Sequence, residues 1–172
     1  MSPSQPVPSN DLRPLDDLDR ALVRELSADA RITNAALAER VGVAASTCLT
    51  RVRALVERGV LRGFHADVDL AATGLALRAV VAVSLQTSAR GALPEFAASV
   101  AGLPGVQHVY FLGGADDFLI DLAVQDTAAL REFVVHLSER PEVGSTQTSV
   151  VFDVVRGRPV SAGRASSGRT SR

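Results

Sequence analysis

The sequence holds no tryptophan, no lysine and a single cysteine, Cys48, in 172 residues. A lone cysteine excludes an internal disulfide and fits a reducing compartment. His65, His108 and His136 have no partner at metal-ligand spacing, and Cys48 has no C-x-x-C companion, so no metal site is expected. Neither a G-x-S-x-G nor a Walker pattern occurs. No apolar run reaches the roughly 18 residues of a membrane span. The first residues show no charged segment followed by an apolar one, so no secretory signal is read and a cytoplasmic location is expected. An excess of charge is missing too. Against 18 basic residues stand 19 acidic ones, a formal net charge of −1. Any affinity for nucleic acid must therefore be local. What the chain does have is apolar side chains, at 47%, ample for packed cores.

The chain is organised around Thr33 to Gly63, TNAALAERVGVAASTCLTRVRALVERGVLRG. A short helix over about Asn34 to Val41, a turn at Gly42-Val43 and a longer helix to Arg58 form a helix-turn-helix pattern. Gly59 suits the left-handed residue after a helix. Taking Leu49 as the buried centre and stepping 100° per residue places Val52, Val56 and Ala45 inward. Thr47, Arg51, Ala54 and Arg58 then face outward. Arg51, Arg53, Arg58 and Arg62 stand against Glu57 alone, while Asp16, Asp17, Asp19, Glu25, Asp29 and Glu39 offset them earlier in the chain. Small hydroxyls and arginines on one face suit a helix entering a major groove. Ser46, Thr47, Thr50, Arg51, Arg53 and Arg58 are the DNA-binding candidates. A small three-helix core with a solvated arginine face remains the alternative. The first helix is expected over Leu15 to Leu26, with Asp16 as N-cap, Asp19 at N3 and Leu18, Leu22 and Leu26 as its apolar stripe. Thr33 caps the second helix, from which Leu37 and Val41 face inward. VLRGFHADVDL reads as a strand in the position of a wing, completing a winged helix-turn-helix over residues 15–70. Residues 1–14, rich in Pro and Ser, read as a disordered tail.

Residues 71–77 read as a hinge, and the texture then changes. LRAVVAVSL, VQHVYFL, DFLIDLAV and TQTSVVFDVV read as strands, and ALPEFAASVAG and TAALREFVVHLSER as helices. The order is βαββαβ, a ferredoxin-like arrangement over residues 78–156, so the fold class is α+β. An internal repeat supports it. Leu93, Phe96, Val100, Pro104 and Val106 recur 37 positions later as Leu130, Phe133, Leu137, Pro141 and Val143. Val81, Val83 and Leu85 map likewise onto Phe118, Ile120 and Leu122. AVVAVSL, FLIDLAV and SVVFDVV are apolar almost without alternation, as in strands buried on both faces. Two helices cover one face of a four-stranded sheet, so a second copy is expected to cover the other. Residues 157–172, rich in Gly, Ser and Arg, read as a second disordered tail.

One loop looks specialised: Gly113-Gly114-Ala115-Asp116-Asp117-Phe118. It reads as an ordinary hairpin turn. The functional alternative is a small-ligand pocket, with backbone N–H groups by the glycines for a carboxylate and Asp116 or Asp117 for an ammonium.

Across about Leu15 to Val155 the chain resembles the leucine-responsive regulator/asparagine regulator (Lrp/AsnC) family of transcription factors. The stretches that carry the likeness are LDDLDRALVREL, DARITNAALAERVGV, CLTRVRALVERGVLRGFHADVD, FAASVAGLPGVQHVYFLGGADDFLI and LREFVVHLSERPEVGSTQTSVV. The resemblance implies double-stranded DNA as partner and a C-terminal domain that dimerises through its sheet, often building tetramers or octamers. It implies a small-molecule effector, usually an amino acid, and no cofactor. The effector would lie between subunits near a Gly-x-x-Asp loop, here Gly114 and Asp117 beside Gly113 and Asp116. Thr146 and Thr148 match the contribution of a neighbouring subunit. One departure concerns DNA: relatives often begin the recognition helix with Ser and Pro, where this chain has Ala44 and Ala45, so the helix is expected to start later, capped by Ser46. The alternatives are an enzyme on the same architecture, similar to the sirohaem decarboxylases and using His108 and His136, and a weakly specific DNA-organising protein.

Overall fold

The structure, a computed structural model, describes residues 14–155. The tails expected at residues 1–14 and 157–172 lie outside these residues, Pro14 apart. Among the described residues the chain divides into two compact units, the first ending at Ala66 and the second spanning Asp67–Val155.

Three helices make the first unit: α1 (Asp17–Ala28), α2 (Asn34–Val41) and α3 (Ala45–Glu57). Each boundary has a local cause. Asp16 caps α1 by accepting from the Asp19 N–H at 2.7 Å, and Thr33 caps α2 by accepting from the Ala36 N–H at 3.2 Å. Gly42 ends α2 at φ 73° and Gly59 follows α3 at φ 70°, both in the left-handed region that glycine enters without strain. The helices close on Leu22, Leu26, Leu37, Ala38, Cys48 and Leu55, with Leu18, Val41 and Val52 packed alongside.

Three expectations are corrected here. The buried face of α3 is centred on Cys48, Val52 and Leu55; Leu49 is 41% exposed and Val56 46%. Leucine is the more apolar residue, but the arc one position away meets α1 and α2. Ser46 does not cap α3, because the helix already begins at Ala45 behind an extended Ala44 that makes no side-chain cap bond. Instead the Asn34 side-chain amide donates to the Ala45 carbonyl at 2.9 Å and ties the start of α3 to α2. Finally, the wing segment forms no strand. Phe64 and Val68 are exposed along it, but a strand requires a neighbour for its N–H and C=O groups, and among the described residues nothing pairs with it.

The second unit begins with a 3₁₀ turn, Ala71–Thr73, closed by Gly74 at φ 90°. There follow β1 (Leu77–Leu85), α4 (Leu93–Ala101), β2 (Val106–Phe111), β3 (Phe118–Val124), α5 (Thr127–Ser138) and β4 (Val143–Val151). The last strand starts three residues before the expected Thr146 and ends at Val151. The sheet order is β2-β3-β1-β4, antiparallel throughout, as the βαββαβ reading requires. Val81, Val83, Leu85, Phe118 and Ile120 point at the helices and meet Phe96, Val100 and Leu137 in one core, where Phe96 and Phe118 lie 5.1 Å apart, centroid to centroid.

The repeat is visible bond by bond. The Leu103 N–H donates to the Val100 carbonyl and the Arg140 N–H to that of Leu137. Val106 donates to Leu103 and Val143 to Arg140. Ala123 donates to Gly105 and Gln86 to Glu142, each at 2.9 Å. Gly105, unlike Glu142, has a positive φ of 83°, and a Cβ there would sit 2.5 Å from the Ala123 carbonyl oxygen. The other sheet face carries Val80, Ala82, Ser84, Leu119 and Tyr110 around an Arg78–Asp121 ion pair of 2.8 Å, with the His108 ring beside it at 3.3 Å. No element of the second unit covers that face. Beta1 and β3 bury one face fully and half-bury the other, where Val80, Ala82 and Leu119 flank the ion pair, but β4 is largely polar and exposed, against the expectation of three strands apolar on both faces.

Candidate nucleic-acid interface and effector loop

The N-terminal half of α3 turns Ser46, Thr47, Leu49, Thr50 and Arg53 to solvent. Ser46, Thr47 and Thr50 line a shallow depression of about 270 Å³ whose edge is Arg51. The Thr50 hydroxyl donates to the Ser46 carbonyl at 3.0 Å. Arg53 is exposed and makes no ion pair or hydrogen bond among the described residues. With no side-chain cap at Ala44, the first N–H groups of α3 remain open to an acceptor, which suits a phosphate at a helix N-terminus.

Arg51 and Arg58 do something else. The Arg51 guanidinium lies 2.6 Å from Asp16 and 3.2 Å from Asp19, and that of Arg58 lies 3.5 Å from Asp19. Asp19 is only 4% exposed, so a buried carboxylate on α1 anchors two arginines of the recognition helix. Both are paired by carboxylates of α1: Arg58 is largely buried there, while Arg51 stays 40% exposed at the edge of the Ser46–Thr50 depression. This clamp is also what the sequence reading missed. Asp16 and Asp19, three apart, and Arg51 and Arg58, seven apart, each sit on one helix face, and that double spacing is the signal that could have found it. Burial pushes the Cys48 thiol up, so it is a packed thiol and not a poised nucleophile.

In the second unit the β2–β3 loop is held from below. The Asp117 N–H donates to the Val83 carbonyl at 2.9 Å and its carbonyl accepts from Leu112, also at 2.9 Å. Its carboxylate accepts from the Leu85 N–H at 2.8 Å. Asp116 accepts from the Ser84 hydroxyl at 3.0 Å. Both acidic residues thus brace the end of β1. The glycines differ. Gly113 and Gly114 have no positive φ, and a Cβ on either would meet nothing within 4 Å. Nothing among the described residues requires glycine at these two positions. Thr146 and Thr148 lie on β4 opposite Val83 and Val81. Beta1 runs between them and β3, a separation of about 10 Å at two strand spacings. The structure therefore joins Asp116 and Asp117 but does not bring either threonine to them within one chain. A cleft of roughly 950 Å³ runs along α5 past Leu103, Phe133 and His136 and does not include the loop. Among the described residues no group of His, Cys, Asp or Glu could hold a metal ion, and no helix is long and apolar enough to cross a membrane.

Comparison with known proteins gives the following. Residues 15–62 match the family model for winged helix-turn-helix DNA-binding, and residues 78–160 that for the Lrp/AsnC ligand binding domain. The chain is 52% identical over 146 residues to the HTH-type transcriptional regulator AldR of Mycolicibacterium smegmatis, covering 84% of this chain and 85% of that one. Among solved structures it is similar to the leucine response regulatory protein LrpA of Mycobacterium tuberculosis, at TM-score 0.74 and 31% identity over 85% of this chain and 98% of that one. It is similar also to a transcriptional regulator of Neisseria meningitidis in complex with L-Met, at TM-score 0.76 and 31% identity over 84% and 94%.

Proposed function

The chain belongs to the Lrp/AsnC family of helix-turn-helix transcriptional regulators, and on that footing we propose that it is a sequence-specific regulator whose DNA binding answers to an amino acid. Residues 15–70 are its DNA-binding part, 71–77 the hinge and 78–156 the effector-binding and oligomerisation part. The enzyme alternative falls with the family, whose members matched here are named as regulators.

The observation that carries the reading is the division of labour on α3. Arg51 and Arg58 are paired by carboxylates of α1, while Ser46, Thr47, Thr50 and Arg53 stay outward and unclaimed by any ion pair. Arg53 serves as a phosphate or guanine contact, and the hydroxyls serve base edges and phosphate oxygens. A palindromic site follows if two copies associate through the uncovered sheet face.

For the effector, the support is Gly113 and Gly114 without an internal reason to be glycine, on a loop braced by Asp116 and Asp117. In this reading the N–H groups there receive a carboxylate, the acidic pair Asp116 and Asp117 meets the ammonium, and Thr146 and Thr148 come from a neighbouring copy. The relative crystallised with L-Met supports an amino acid as the class. A thermal-shift screen against the amino acids tests this, since a ligand at 100 times its Kd adds about 2.7 kcal/mol of stability. No shift with any amino acid, together with DNA affinity indifferent to all of them, would falsify the effector half. Selection from a random duplex library tests the other half: an enriched motif supports a regulator, and uniform binding favours a DNA organiser.

A further inference from the structure

On the outward side of α3 the polar candidates surround one large apolar residue. At 100° per residue, Ala45, Leu49, Arg53, Ser46 and Thr50 follow one another around the helix, with Leu49 between Ala45 and Arg53. Leu49 is 41% exposed although its neighbour Cys48 is wholly buried. Its Cα lies in the second turn of the helix, within the N-terminal half that presents Ser46, Thr47 and Thr50. Val56, the next exposed apolar residue of the helix, lies about 10 Å further along the axis at 1.5 Å per residue.

A leucine in a major groove has a narrow choice of partners. Base edges present N7, O6, O4, N4 and N6, all hydrogen-bonding atoms, and covering them with a side chain that cannot bond leaves them unsatisfied. The one apolar group in the groove is a methyl on pyrimidine C5. We infer that Leu49 is a specificity-determining residue that reads the C5-methyl group of a thymine beside the base pairs contacted by Ser46, Thr50 and Arg53. This rests on the proposal that the outward face of α3 enters the groove. It adds a preference that no hydrogen bond supplies: thymine over cytosine at the Leu49 position, by contact with the methyl alone. A 5-methylcytosine offers the same methyl and satisfies the same contact.

The test uses the full-length protein and a duplex enriched from a random library. Each thymine of the footprint is replaced singly by deoxyuridine, which removes the methyl and leaves every hydrogen-bonding atom in place. The wild type should lose about fourfold in affinity at one or two positions, the worth of one methyl-sized apolar contact. Leu49→Ala should bind thymine and uracil duplexes alike at those positions and melt within a degree or two of the wild type, because the side chain is half exposed. Cytosine placed there should bind more weakly than 5-methylcytosine, again only for the wild type. The inference is overturned if no thymine in an enriched site is sensitive to the exchange, or if Leu49→Ala keeps the sensitivity. It is overturned as well if Leu49→Ala changes the sedimentation of the protein and not its methyl preference, which would make Leu49 a contact between copies. Failure to enrich any sequence overturns the regulator reading along with it, whereas an enriched, methyl-indifferent site overturns this inference alone.

Discussion

Arg51 of the third helix holds Asp16, the residue that caps the first, with 2.6 Å between guanidinium and carboxylate. One side chain thereby closes a helix end and fixes the rotation of the recognition helix about its axis. The arrangement makes the first unit sensitive to acid. The Asp16 carboxyl is held below its ordinary value, first by the Asp19 N–H that it caps, against an opposing effect of burial, with the Arg51 guanidinium adding to the lowering. A lowered carboxylate adds stability in full above its unfolded pKa, near 3.9, and loses it as pH falls through the folded value. Melting of the helix-turn-helix unit should thus start to drop as pH falls below about 4. Asp16→Asn should keep the cap and flatten that part of the curve. An unchanged acid profile in the variant, followed by circular dichroism, would mean that other carboxylates dominate.

Exchange of single arginines separates the clamp from the groove. Arg51→Ala should lower the melting temperature and leave the ranking of DNA sequences as it was. Arg53→Ala should leave melting unchanged and reduce the slope of log affinity against log salt by about one, if it meets a phosphate. Asp19→Ala is the severe case, because it strips a buried carboxylate from two arginines, at a cost of about 3 kcal/mol or more. Binding titrations at three salt concentrations, beside thermal melts, check all three. A relaxed sequence preference in Arg51→Ala would return that residue to the groove.

The loop calls for a glycine variant, because Asp117 has a structural duty whatever else it does. Asp117→Ala forfeits the bond to the Leu85 N–H and should cost about 1.5–3 kcal/mol. Gly114→Val enters open space at an ordinary φ and should change stability by no more than about 0.5 kcal/mol. If the loop receives a ligand, Gly114→Val should nonetheless lose the thermal shift given by the effector found in the screen. Retention of the full shift in this variant would remove the ligand from the loop.

The uncovered sheet face predicts association. Leu119→Asp should give a folded monomer, whereas Val83→Asp should unfold the second unit, since Val83 lies in the core beneath the helices. Sedimentation of the wild type, expected as a dimer or larger at micromolar concentration, and of Leu119→Asp decides it. A monomeric wild type ends the argument.

What could be read in advance was what local chemistry decides. Asp16, Thr33, Gly42 and Gly59 mark helix ends through their own side chains or φ preferences, and the strands and their order followed from apolar runs and a repeat. What escaped was set by partners distant in sequence. Arg51 and Arg58 looked unpaired because the carboxylate that holds them lies 32 and 39 positions earlier. Cys48 outranks Leu49 as core only because α1 and α2 approach on that side. The carboxylate of Asp117 is taken by an N–H on another strand, and a segment that alternates like a strand stays unpaired where nothing lies alongside it.

The repeat has a geometrical consequence. Val81 pairs with Ile120 and Val83 with Phe118, and exchanging each member for its counterpart in the other half turns either pair into the other. Ala82 pairs with Leu119, its own counterpart, so a local two-fold axis pierces the sheet at that pair. The β1–β4 pairs Val81–Thr148 and Val83–Thr146 recur in β3–β2 as Phe118–Phe111 and Ile120–Val109. A substitution at Phe96 can be read against the same substitution at Phe133, and one at Val100 against Leu137, under identical solvent and temperature. Where twins respond unequally, the difference measures what the two halves have acquired separately since they were alike, and Gly105 opposite Glu142 is the first place to look.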